Sequence, residues 1–63
     1  MDINKLIQEA HRELSMRVNL YPKWVLSGKL NQHIANERIQ LMKEIVNILK
    51  DIKNSEIEKD ESK

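Results

Sequence analysis

Residues 31–53 read NQHIANERIQLMKEIVNILKDIK. Written as heptads with Ala35 at position a, the a positions are Ala35, Met42 and Leu49, and the d positions are Arg38, Ile45 and Ile52. Ile39 and Val46 stand at e, while Ile34, Leu41 and Ile48 stand at g. The remaining positions, among them Asn36, Glu37, Gln40, Lys43, Glu44, Asn47, Lys50 and Asp51, are polar. Apolar residues in steps of three and four mark one side of a helix, which predicts a long helix over residues 32–53 with Asn31 as its N-cap. The apolar side covers a, d, e and g, and is wider than the seam of a two-stranded coil. One neighbouring helix can cover only part of it. The rest must meet another copy of the chain or another protein. Ile34, Leu41, Met42, Ile45, Ile48, Leu49 and Ile52 are the residues expected at that oligomer interface.

Upstream, the Asp2 carboxylate can accept a free N–H from a first helical turn. Ile3, Leu6, Ile7, Ala10, Leu14, Val18 and Tyr21 follow at helical spacing, which predicts a first helix over residues 3–20. Pro22 has no N–H and disfavours a helical Tyr21, so it is expected to end that helix. Proline also suits the first turn of a new helix, so residues 22–27, with Trp24 and Val25, read as a short corner helix or turn. Gly28, the single glycine, falls where a left-handed cap closes a helix. The expected fold is all-α: a helical hairpin with a short corner helix over residues 1–53, assembling into an oligomeric helical bundle. Residues 54–63 are nearly all polar, and either extend the second helix or fray, with disorder expected near the end.

Size and composition narrow the function. The chain has 63 residues, no cysteine and a net charge of +1. A domain this short buries only about 60% of its unfolded surface, and such scaffolds are usually reinforced by disulfides, a metal or self-association. Without cysteine there are no disulfides and no thiolate metal sites. His11 and His33 have no ligand spacing, so no metal and no cofactor is expected, and self-association remains. A balanced charge does not suit a protein held on DNA by phosphate contacts. The order helix, turn, helix resembles a DNA-reading motif only superficially, because the last helix mixes both signs on its outer face. No apolar run approaches the roughly 20 residues of a membrane span. Met1-Asp2-Ile3-Asn4-Lys5 also lacks signal-peptide order, so a cytoplasmic location is expected. There is no glycine-rich phosphate loop, metal-binding helix motif or nucleophile elbow, so an enzyme is not expected.

The candidate binding residues are cations beside apolar stripes. Arg38 interrupts the heptad face and must pair with Glu13 or Glu37, reach water at the rim, or line a cleft for an anion. Arg17 either pairs with Glu13 one turn earlier or turns its fork of donors toward phosphate or carboxylate. Tyr21-Pro22-Lys23-Trp24-Val25 holds both aromatic residues, with Lys23 inside it and Lys29 close by. The rings either plug the corner of the hairpin or stack on a base while the cations meet phosphate. Arg17, Tyr21, Lys23, Trp24, Lys29 and Arg38 are therefore the candidate ligand contacts. Met16 and Met42 read as fillers of a core or interface.

One pattern reaches beyond composition. Glu13-Leu14-Ser15-Met16-Arg17, Tyr21-Pro22-Lys23-Trp24-Val25, Gly28-Lys29-Leu30 and the helical Ala35, Ile39 and Met42 resemble a family of short helical proteins encoded by phages and prophages. The resemblance covers about residues 12–50, with Asn36 standing where relatives often carry an acid. It implies a counter-defence role in the host cytoplasm. It further implies that an oligomer sequesters a nucleotide immune signal. The alternative, which rests on the excess apolar surface of the long helix, is a protein-binding inhibitor or adaptor that takes a host helix.

Overall fold

A computed structural model describes residues 2–61, with side chains described through residue 55. The described residues form two helices packed as a hairpin: α1, Ile3–Leu26, and α2, Gln32–Glu61. Each start follows from one side chain. Asp2 Oδ1 accepts from the N–H groups of Asn4 at 2.9 Å and Lys5 at 3.3 Å. Asn31 Oδ1 accepts from His33 at 2.7 Å and Ile34 at 3.4 Å. These bonds satisfy donors that a helix start otherwise leaves free.

The short corner helix is not formed. Pro22 lies inside α1, which continues to Leu26. Proline inside a helix removes one hydrogen bond, here to the carbonyl of Val18, and costs about 3 kcal/mol. Pro22 and Val18 both lie on the exposed side of α1, so that carbonyl is not stranded in a core. The neighbouring Tyr21 is buried and holds the helix to its partner across the proline.

Closure comes four residues beyond Pro22. Lys29 N–H bonds the Trp24 carbonyl at 2.8 Å, and Gly28 N–H bonds the Val25 carbonyl at 3.1 Å. That double closure needs a left-handed residue, and Gly28 supplies it at φ +81. The expected glycine cap is thus present, but it closes the first helix itself. At the other end α2 runs past the expected boundary at residue 53 as far as Glu61, while residues 62–63 lie outside the described residues.

The core is small. Ala10, Met42 and Val46 form one buried cluster, with Leu14 and Leu49 packed against it, and Tyr21 and Ala35 are buried nearer the turn. Alanine at positions 10 and 35 lets the two backbones come close; Ala35 is only 1% exposed. Met42 and Leu49 were expected at an oligomer interface. They face α1 instead, because the a and e rows of α2 fit the stripe Ala10, Leu14 and Tyr21. No described helix is long and apolar enough to cross a membrane.

Candidate functional site

Two features stand out on the hairpin, a cleft along α1 and an open row along α2. The cleft is half-open, about 100 Å³, and lined by Glu13, Met16, Arg17, Leu20, Tyr21 and Trp24. These positions recur at one side of α1 because its helical spacing runs unbroken through Pro22. Tyr21 and Trp24 stack with ring centroids 5.5 Å apart and planes tilted by 32°. Tyr21 is buried, so Trp24, at 39% exposed, offers the ring surface that a ligand could use.

Arg17 is the polar hinge of the site. Its Nε donates to Glu13 Oε2 at 2.8 Å, and its Nη1 donates to the backbone carbonyl of Arg38 at 3.1 Å. The second bond ties α1 to α2 outside the apolar core. The helix-surface ion pair expected of Arg17 is therefore made. Arg38 does not pair with Glu13, whose carboxylate is engaged by Arg17; among the described residues its guanidinium has no carboxylate partner and its side chain is exposed. Arg17→Met removes both bonds of the half-buried guanidinium. The expected loss is about 1 kcal/mol, or a melting temperature lower by roughly 4–8 °C, read by circular dichroism. Arg17→Lys should recover only part of this, since an ammonium cannot reproduce the planar fork.

Of the six candidate ligand contacts, the structure brings Arg17, Tyr21 and Trp24 to one cleft. Arg38 reaches it through its carbonyl alone. Lys23 and Lys29 are exposed and do not line it. Sequence reasoning missed Met16 and Leu20 as lining residues, and treated Glu13 only as an ion-pair partner. The signal was present: residues 13, 16, 17 and 20 share one side of the expected first helix, and Trp24 joins them once α1 is carried through Pro22. Glu13 also changes the chemistry. Its carboxylate offsets Arg17, so the cleft of a single hairpin has no net positive charge from its lining residues.

The second feature is larger. Ile34, Leu41, Ile45, Ile48 and Ile52 lie in one line along α2 and are each between 43% and 58% exposed. The line adjoins the buried Ala35, Met42 and Val46 and the half-buried Leu49, so the wide heptad face divides into a half that α1 covers and a half that stays open. Among the described residues, no group of three or more histidine or acidic side chains is arranged to hold a metal. Comparison with protein-family models, with curated proteins and with solved structures returned no match for this chain.

Proposed function

We infer that this protein is a non-enzymatic binding protein that works as an assembly of its own copies and holds a small anionic molecule. The observation that supports it best is the open row of Ile34, Leu41, Ile45, Ile48 and Ile52 on a chain too small to spare apolar surface. Half-exposed aliphatic side chains in a line are what a helical partner buries. The cargo reading is supported by Arg17 and Trp24 sharing a cleft, with Arg17 bonded to the backbone carbonyl of Arg38, whose exposed guanidinium has no carboxylate partner among the described residues. In this reading Arg38 and Arg17 meet the anion, Lys23 and Lys29 attract it, and Trp24, backed by Tyr21, stacks on it. The phage resemblance suggests a nucleotide signal of bacterial immunity as the cargo, and so counter-defence as the role.

Native mass spectrometry of the protein purified without added ligand tests both parts. The expected result is a discrete oligomer that retains an anionic compound. A monomer at micromolar concentration overturns the assembly, and with it the shared cargo. Arg38→Ala should then weaken binding of the retained compound at least about tenfold by calorimetry, or ~1.4 kcal/mol, with the oligomer unchanged. Equal affinity of the variant removes Arg38 from the site. The same open row could instead take an amphipathic helix of a host protein. That second reading predicts a chain that stays monomeric alone and forms a complex of one-to-one stoichiometry.

A further inference from the structure

We propose that two copies join face to face about a two-fold axis running along the helices, so that α2 of each copy lies on α1 of the other. This rests on the reading of an assembly given above and specifies its partner and geometry. The first support is surface. The chain exposes 5176 Å² for a mass of 7.5 kDa. A compact monomer of that mass exposes about 4,200 Å². The surplus is of the order of the ~800 Å² that each partner contributes to a standard interface. The elongated shape of the hairpin and the open row both contribute to it.

The second support is charge. Arg17, bonded to the Arg38 carbonyl, marks where the core gives way to the open side of the hairpin. Moving outward on α1, Leu20 and Met16 come next, and then an exposed edge of Lys5, Arg12 and Lys23. Moving outward on α2, the open aliphatic row comes next, and then an exposed edge of Glu37, Glu44 and Asp51. The helices of a hairpin run in opposite directions, so these opposite turns fan onto the same face. One rim of that face is basic and the other acidic. Glu9 sits beside Arg12, but their contact is 3.6 Å between largely exposed side chains and leaves Arg12 free to turn. His33 lies at the turn end of the acidic rim.

Symmetry converts those rims into a choice. A two-fold axis across the helices sets α2 on α2 and brings the acidic rims together, which is repulsive. A two-fold axis along the helices sets each acidic rim on the partner's basic rim. It also fixes the register, because rotation about that axis leaves height unchanged. Within one hairpin Ala10 packs with Met42 and Val46, and Arg17 bonds Arg38, so Arg12 is level with Glu44 and Lys5 with Asp51. The symmetric copy then meets Glu44 with Arg12 and Asp51 with Lys5. The same rotation gathers Arg17 and Arg38 of both copies at one height around the axis. Four guanidiniums with two Glu13 carboxylates double the excess of positive charge that Arg17, Arg38 and Glu13 give one hairpin and concentrate it at one height, where an anionic cargo supplies the balance.

Charge reversal tests the arrangement, with dissociation constants from sedimentation equilibrium at low salt, where rim charges are least screened. Glu44→Arg and Arg12→Glu should each weaken the dimer about tenfold, and the double reversal should restore it to within about threefold. Both positions are exposed, so helix content by circular dichroism should match the wild type. A wild-type dimer whose double reversal shows no rescue overturns this arrangement alone. A wild-type monomer overturns the arrangement together with the assembly on which it rests.

Discussion

Ile45→Asp is expected to abolish assembly while leaving the hairpin helical. Ile45 is 46% exposed in the single hairpin and sits midway along the open row, so the substitution costs little before copies meet. In the assembly the new carboxylate is covered among the aliphatic side chains of the open row. An uncompensated buried charge costs about 3–5 kcal/mol, and a symmetric dimer contains two of them. The dissociation constant should rise by at least about 10³-fold, read by sedimentation. Lys43→Asp, on the polar side of α2, is the matched control and should leave association unchanged. Unaltered association of Ile45→Asp would mean that the open row is not where copies join. The melting temperature carries a second signal. Anything that binds only the folded chain stabilises it by mass action, so the wild type should melt higher as its concentration rises. Ile45→Asp should lose that dependence.

What the sequence made legible follows from what is local. Asn31 announces its helix because the cap is a bond between one side chain and the first turn of backbone after it. Gly28 announces a helix end because few other residues accept a φ of +81. Pro22 misled for the same reason. Its penalty is local, whereas the burial of the adjacent Tyr21 depends on packing against α2 and the closure around Gly28 lies six residues on, and together they outweigh it. The break read into α1 then hid the cleft, since Trp24 lines up with Glu13, Met16, Arg17 and Leu20 only along one continuous helix. The heptad pattern gave the extent of the apolar face of α2 but not its division. Leu41 and Met42, or Ile48 and Leu49, are neighbours about 100° apart around the helix. Which of each pair meets α1 is decided by the stripe on α1, and so by tertiary packing.

That division carries the last prediction, which sets Met42→Ala against Ile48→Ala. Met42 is 7% exposed within the core cluster, so truncation should leave a cavity between the helices and cost about 2–5 kcal/mol. Small domains have only about 5 kcal/mol or somewhat more in reserve, so Met42→Ala should remove a large share of that margin and melt well below the wild type. Ile48 is 58% exposed in the hairpin and should cost almost nothing there. Its loss is felt only where a partner would have covered it. Thermal melts across a hundredfold range of protein concentration, about two decades, separate the two cases. For Met42→Ala the melting temperature should fall by a similar amount at every concentration, keeping the wild-type slope. For Ile48→Ala the slope itself should flatten, with little change at the dilute end. Parallel, concentration-independent losses for both variants would place Ile48 in the folding core rather than on a joining surface. A flattened slope for Ile48 alone would assign the two halves of one heptad face to two jobs, one closing the hairpin and the other joining copies.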